Sequence, residues 1–144
     1  MSILKRLEAG IRTSSAEETE AVATELAAAL PVDCTLALYG DLGCGKTTFV
    51  KGLARAWNIV EPVTSPTFNL FTLYRGDRAL AHLDAYRLRG ADDMDALMVE
   101  EFLSSPWCVV VEWPTRIEEW LPEDVFRLEL RDCGMDLREI VLRR

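Results

Sequence analysis

Short apolar runs bounded by turn residues predict the strands of this chain. Residues 35–39 and 109–111 are almost wholly apolar, as is typical of parallel strands buried on both faces. Gly76-Asp77 is a turn signal between two further runs, residues 68–74 and 79–83, which we therefore expect to pair as a hairpin. Two last runs, residues 125–130 and 137–142, flank Cys133-Gly134 and predict a second hairpin.

Apolar residues at helical spacing predict the main helices. Over residues 46–57 they recur on one face, which indicates a helix with one buried side. A second helix of this kind should begin after Ser15, where Glu18 completes a capping-box pattern. It should end before Pro31, because the residue ahead of a proline disfavours helical geometry.

Two weaker patterns complete the prediction. Residues 4–13 are expected to form a short edge strand, and Asp92 is expected to cap a helix that runs to residue 102. Strands that alternate with helices favour an α/β layer architecture. The chain has 144 residues and no internal repeat or linker, so we expect one domain over residues 1–144.

The turn between the first buried strand and the following helix carries a phosphate-binding motif. Residues 40–47 read Gly-Asp-Leu-Gly-Cys-Gly-Lys-Thr, which matches G-x-x-x-x-G-K-[ST] in full. Its glycines allow several N–H groups to face one anion, and the helix start adds its positive dipole end. We expect the Lys46 ammonium to reach the β and γ phosphates and the Thr47 hydroxyl to ligate Mg²⁺.

This motif sets the fold class and the expected ligand. The fold class is a single-domain P-loop NTPase-like α/β protein, with a largely parallel central sheet flanked by helices and a C-terminal β-hairpin. No Asn precedes any of the three lysines, so the guanine-binding motif Asn-Lys-x-Asp of common GTPases is missing. We therefore expect ATP as the nucleotide. The expected nucleotide contacts are Gly40, Asp41, Leu42, Gly43, Cys44, Gly45, Lys46, Thr47 and Thr48.

Carboxylates at two strand ends are candidates for the metal side of the site. Glu112 follows the apolar run at residues 108–111, and Asp84 ends the run that begins at residue 79. Strand carboxyl ends face the ligand in this architecture, so either acid can act on the metal or on the attacking water. His82 shares the Asp84 face of its strand, either as a support for these acids or as a structural histidine.

Three further positions carry weaker signals. The loop at residues 64–67 bears hydroxyls around a proline and could sense the γ-phosphate, although taken alone it is better explained as an ordinary proline turn. Cys44 lies by a helix N-terminus, which would tend to favour its thiolate, although it is more simply a residue tolerated at a variable position of the motif. Arg138 on the last strand is a weak candidate for covering the adenine base.

Composition limits the function classes. The formal net charge is −8, and no Lys/Arg run exceeds two residues, so the chain is a poor candidate for binding RNA by itself. The four cysteines form no CxxC pair, which indicates free thiols in a reducing, cytoplasmic setting. We expect no membrane span and no signal peptide, because no apolar run is long enough.

Four segments together resemble one family. GDLGCGKTT at residues 40–48, TSPTF at 64–68, HLDAYRL at 82–88 and VEWP at 111–114 are similar to the bacterial tRNA threonylcarbamoyladenosine biosynthesis ATPases, the TsaE or YjeE family. The P-loop alone is common to many families, whereas the four segments in this order are specific. The resemblance spans nearly the whole chain.

The resemblance implies a partner-dependent ATPase. Members act with the TsaB–TsaD heterodimer, so tRNA would be reached only through partners, and the ATPase would reset that complex rather than modify tRNA. Lys46 and Thr47 would hold phosphate and Mg²⁺, Glu112 would be a metal ligand, and Asp84 would be needed for hydrolysis. Residues 64–67 would act as the switch. Thr115 stands where many members have a glutamate, which puts in doubt any role of that acid here.

Two alternatives remain open from the sequence. A nucleotide-dependent binding module without turnover would carry the same phosphate motif. A small-molecule kinase would carry it too, but its usual arginine-rich lid would have only Arg87 and Arg89 to represent it.

Overall fold

The computed structural model describes residues 1–41, 43–65 and 71–143. Four α-helices and seven strands follow one another along these ranges, with 3-10 helices at Val99–Phe102 and Pro114–Trp120. The helices are α1 (Ile3–Ala9), α2 (Ala16–Ala29), α3 (Lys46–Ala56) and α4 (Ala91–Ala96). The strands are β1 (Ile11–Thr13), β2 (Cys34–Tyr39), β3 (Phe71–Arg75), β4 (Ala79–Asp84), β5 (Trp107–Glu112), β6 (Phe126–Gly134) and β7 (Leu137–Arg143).

All seven strands form one sheet in the order β1-β7-β6-β2-β5-β4-β3. The four central strands β6, β2, β5 and β4 are parallel, whereas β3, β7 and β1 join antiparallel at the edges. This confirms the α/β class with its parallel centre and is consistent with a P-loop NTPase-like fold. Both expected hairpins are also confirmed, β3–β4 and β6–β7, although residues 68–70 of the first lie outside the described ranges.

Helices cover both faces of the sheet and divide the core in two. Helices α1, α2 and α3 pack one cluster against Leu36, Leu38 and Val110, and α4 with the second 3-10 helix packs another against Ala37 and Val109. Helices α2 and α3 touch closely at Gly52, where an added Cβ would lie 2.4 Å from the Glu20 carbonyl oxygen. The capping box holds as expected: the Ser15 hydroxyl accepts from the Glu18 N–H and Glu18 accepts from the Ser14 N–H.

The prediction of one edge strand over residues 4–13 was partly wrong. Residues Ile3–Ala9 form helix α1, and only Ile11–Thr13 forms the edge strand β1. The Ser2 side chain caps the helix by accepting from the Lys5 N–H, and Gly10 ends it at a φ of 96°. Ile3 and Leu7 are buried, whereas Lys5 between them is exposed. This pattern fits one turn of a helix, because in a strand all three side chains would share one face.

The prediction of a continuous helix capped by Asp92 was also wrong. Helix α4 stops at Ala96, and a 3-10 helix follows after Met98, which has a positive φ of 53°. The N-cap is Gly90, and Asp93 instead accepts hydrogen bonds from the backbone and side chain of Arg89. No helix within the described ranges is long and apolar enough to cross a membrane.

Candidate functional site

The carboxyl ends of three parallel strands bring the predicted site residues together. Strand β2 leads directly into the glycine-rich turn, β5 ends at Glu112 and β4 ends at Asp84. Glu112 lies opposite Leu38 of β2 on one side and opposite Asp84 on the other. The register of the sheet therefore places both acids beside the turn that precedes α3, as their strand-end positions predicted.

The glycine-rich turn has a backbone that only glycine accepts at its start. Gly40 has a φ of 146°, and an added Cβ would lie 2.5 Å from both the Cys44 sulfur and the Leu130 carbonyl oxygen. Gly45 is the N-cap of α3 in a left-handed conformation and supplies no side-chain acceptor. The first N–H groups of α3 are thus left for an external acceptor, which suits an anion.

Lys46 is held at this helix start in an unusual environment. Its side chain is only 5% exposed. Its ammonium donates to the Gly40 carbonyl at 2.6 Å and lies 3.5 Å above the centre of the Trp113 ring. Burial lowers the pKa of Lys46, and within the described residues it forms no ion pair. A buried cation with a carbonyl and a ring as its partners has capacity left for an anion.

Glu112 and His82 form a buried pair behind the lysine. Glu112 is 5% exposed and His82 is fully buried, and His82 Nε2 hydrogen-bonds Glu112 Oε2. Among the described residues, His82 Nδ1 has no hydrogen-bond partner. Because Nε2 faces the carboxylate, Nε2 carries the hydrogen and donates it. Nδ1 is then a buried acceptor without a donor, which is less unfavourable than the unpaired Nδ1–H group of the other tautomer. His82 thus orients one Glu112 oxygen, which supports the interpretation of His82 as a partner of the acids.

Asp84 and two aromatic residues form the opposite wall. The Asp84 carboxylate accepts a hydrogen bond of 2.9 Å from the Tyr86 N–H, which fixes its orientation. The Tyr86 ring meets the Trp113 ring edge-on, with centroids 5.4 Å apart. Trp113 therefore joins Lys46 to the loop after β4, a contact that no sequence pattern indicated.

An open cavity of about 1000 Å³ lies over these groups. Its floor is the turn and the start of α3, and its walls include residues that the sequence analysis did not select. Arg138 reaches it from β7 and donates to the Gly43 carbonyl at 3.3 Å. The missed residues are Ser14, Ser15, Ala16, Glu17 and Thr19 at and before the start of α2, with Tyr86 and Asp136. For the residues around the start of α2 the only signal was the capping box, which predicts a helix start but not what lies next to it.

The expected nucleotide contacts do not all face the cavity. It is lined by Gly43, Gly45, Lys46, Thr47 and Thr48, whereas the Asp41 side chain is exposed and Leu42 lies outside the described residues. The Cys44 side chain is buried in the core, and this burial raises the pKa of its thiol. Desolvation outweighs the helix start here, which favours the interpretation of Cys44 as a residue that the motif tolerates at this position.

The hydroxyl-bearing loop is described only in part. Ser65 lines the cavity, and the Thr64 N–H donates to the Tyr74 hydroxyl at 3.3 Å. Pro66 and Thr67 lie outside the described residues, so the switch role stays a prediction. Thr115 is exposed in the 3-10 helix after β5.

The donor set at this site fits a magnesium ion. Thr47, Asp84 and Glu112 line the same cavity and bring one hydroxyl and two carboxylates. Oxygen donors of this kind, with room for water and phosphate oxygens, are what Mg²⁺ prefers.

Comparison with known proteins gives one consistent family. The family model "Threonylcarbamoyl adenosine biosynthesis protein TsaE" matches residues 13–140. The tRNA threonylcarbamoyladenosine biosynthesis protein TsaE of Bacillus subtilis is 40% identical over 130 residues, which cover 90% of this chain and 81% of the relative. The protein of the same name from Treponema pallidum is 37% identical and is covered over 95% of its length.

A solved structure agrees with these sequence matches. The crystal structure of Bacillus subtilis YdiB superposes with a TM-score of 0.75 at 38% identity, and it covers 92% of this chain and 82% of that one. Residues 13–140 include the glycine-rich turn and both acidic strand ends. The chain belongs to the TsaE family of threonylcarbamoyl adenosine biosynthesis proteins.

Proposed function

We propose that the protein binds and hydrolyses Mg-ATP at the cavity above α3. The observation that carries this proposal is Lys46, a buried ammonium with no carboxylate partner among the described residues, at the N-terminus of a helix whose first N–H groups have no side-chain cap. Burial destabilises an ammonium that has no carboxylate in direct contact, and an anionic ligand would offset that effect. A polyphosphate supplies negative charge and also accepts hydrogen bonds from the first backbone N–H groups of α3.

Each residue has a definite role in this proposal. The backbone N–H groups at the start of α3 bind the phosphates, and Lys46 neutralises the terminal ones. Thr47 and Glu112 would hold Mg²⁺, which when bound offsets charge on the phosphate oxygens. Asp84, fixed by the Tyr86 N–H, orients the attacking water. Arg138 and the α2 start form the wall left for the base and ribose.

We further propose that hydrolysis serves tRNA threonylcarbamoylation through partners, the TsaB–TsaD heterodimer. The relatives are named for tRNA threonylcarbamoyladenosine biosynthesis. The chain itself has a net charge of −8 and is poorly suited to hold tRNA. ATP hydrolysis would therefore reset the transfer complex, and the protein would act in the cytoplasm, where its free thiols stay reduced.

The test is phosphate release from Mg-ATP by the purified protein, with and without the TsaB–TsaD pair. Lys46→Ala should lower the stimulated rate at least about 100-fold, because a charge that stabilises the transferred phosphoryl group is lost. Lys51→Ala is the matched control, since Lys51 is exposed on the same helix, and it should leave the rate unchanged.

Other outcomes select other functions. Tight Mg-ATP binding with no phosphate release, even with TsaB–TsaD and tRNA present, would mean a nucleotide-dependent binding module. Transfer of phosphate to a small metabolite without any partner would mean a kinase. Equal rates for Lys46→Ala and the unmodified protein would refute the proposed site.

A further inference from the structure

A second cluster of reactive side chains lies at the other end of the parallel strands. Cys34 is the first residue of β2, and Cys108 lies directly opposite it on β5. Both side chains are buried on the α2–α3 face of the sheet, with their sulfur atoms 3.7 Å apart. No part of the nucleotide proposal uses them.

The backbone geometry at this pair is suited to a covalent bond. Paired residues on neighbouring strands are about 4.8 Å apart. Disulfides span Cα separations of roughly 4.4–6.8 Å. Because the register already aligns the two side chains on one face, rotation about the Cα–Cβ bonds is the movement needed to close the gap.

The surroundings make the two sulfur atoms unequal. The Arg78 guanidinium lies 3.9 Å from the Cys34 sulfur and is held there by the carbonyls of Leu30 and Pro31. The hydrogen bond between Cys34 and Cys108 lowers the pKa of Cys34, and Arg78 adds to this effect, whereas burial opposes it. Complete burial raises the pKa of Cys108 well above its usual value. Cys34 is thus the nucleophile and Cys108 the thiol that resolves it.

We propose that Cys34 and Cys108 form a reversible intramolecular disulfide when the protein meets a peroxide. The Cys34 thiolate attacks one peroxide oxygen, the O–O bond breaks, and hydroxide leaves and is protonated to water, which gives a sulfenic acid on Cys34. The Cys108 sulfur then attacks the Cys34 sulfur, the S–O bond breaks, and the hydroxyl leaves with the Cys108 proton as a second water. Two electrons pass from the two thiols to the peroxide.

Access to Cys34 comes from the side of Arg78. Cys34 lies two residues after the exposed Val32, and the Arg78 side chain that covers its sulfur is only half-buried. A molecule the size of hydrogen peroxide needs only a small displacement of that side chain. The bridge would tie β2, which leads into the phosphate loop, to β5, which ends at Glu112.

The experiment treats the full chain with hydrogen peroxide, blocks free thiols under denaturing conditions and maps the peptides. The expected result is an intact mass lower by two hydrogens and a peptide pair joined through Cys34 and Cys108. The unfolding temperature should rise by roughly 5–10 °C, because the bridge closes a long loop, and dithiothreitol should reverse the rise.

Two variants and one mapping result make the test decisive. Cys133→Ser removes the exposed thiol and should leave the bridge intact, whereas Cys108→Ser should abolish it. If Cys34 and Cys108 of the unmodified protein both stay free while Cys133 is oxidised, the proposal fails. A bridge to Cys44, or one between two chains, would also overturn it. All these readouts concern thiols and are independent of nucleotide binding.

Discussion

The surroundings of the two ends of β5 differ in how fully their polar groups are hydrogen-bonded. At the carboxyl end, Glu112 is buried with His82 and Lys46. Among the described residues, the Nδ1 atom of His82 has no hydrogen-bond partner there. At the amino end, the polar groups are matched: Arg78 donates to two backbone carbonyls, and Asp33 accepts from the Trp107 N–H at 3.0 Å.

The difference separates a binding region from a structural one. Buried polar groups are normally satisfied, and an exception needs a physical reason. At the carboxyl end the reason is a ligand that is added later, since an anion would pair with Lys46 and a metal with Glu112. At the amino end each polar side chain closes a loop or ends a helix, so its loss should affect stability and leave binding alone.

The largest effect should come from Glu112→Gln at the carboxyl end. Loss of the carboxylate removes a metal ligand, so partner-stimulated phosphate release should fall about 100-fold. The glutamine carbonyl can still accept from His82, so the unfolding free energy should change by less than about 1 kcal/mol. Phosphate-release assays measure the first effect, and urea denaturation measures the second. Glu119→Gln, an exposed acid on the following 3-10 helix, should change neither.

Arg78→Met should give the reverse result at the amino end. It removes hydrogen bonds of 2.6 and 2.8 Å to the carbonyls of Pro31 and Leu30, and the stacking of the guanidinium on Trp57. The expected loss of unfolding free energy is about 2 kcal/mol, with ATP affinity unchanged. Arg75→Met on the exposed side of the same hairpin is the control. A weaker ATP affinity in Arg78→Met would contradict the separation of the two ends.

Substitutions of His82 test whether its hydrogen bond to Glu112 strengthens Mg²⁺ binding. His82→Leu leaves the carboxylate without its donor, so the Mg²⁺ concentration for half-maximal hydrolysis should rise about 10-fold. His82→Gln keeps a donor near the same place and should stay within about threefold. A purely structural histidine would lower the unfolding temperature in both variants and leave the Mg²⁺ requirement unchanged.

The smallest effect concerns the pH dependence of Lys46 in the nucleotide-free protein. Burial lowers its pKa below the ordinary value of 10.5, so between the two values the unfolded chain binds more protons than the folded one. The stability of the unmodified protein, relative to Lys46→Met, should therefore increase with pH in the window just below 10.5. Urea denaturation at several pH values measures this difference. A decrease would mean that the lysine is stabilised, not destabilised, as an ammonium.

Sequence patterns served best where one local feature decides the structure. The capping box at Ser15, the hairpin turn at Gly76 and the buried strands at residues 35–39 and 109–111 are all in place. They failed at residues 4–13, where Ser2 and Gly10 bound a helix that apolar content alone did not separate from a strand. They failed again at Met98, whose left-handed backbone breaks the expected helix without any glycine or proline to announce it.

By itself the sequence determined the phosphate motif, its place between a buried strand and a helix, and the two acidic strand ends. These are local, because a loop and the helix that follows it are contiguous in the chain. Only the tertiary structure decided that Lys46 lies on the Trp113 ring and that His82 hydrogen-bonds Glu112. It also decided that the start of α2 lines the cavity and that Cys34 lies opposite Cys108. Such pairs depend on strand order and register, which come from packing the whole sheet and not from any one segment.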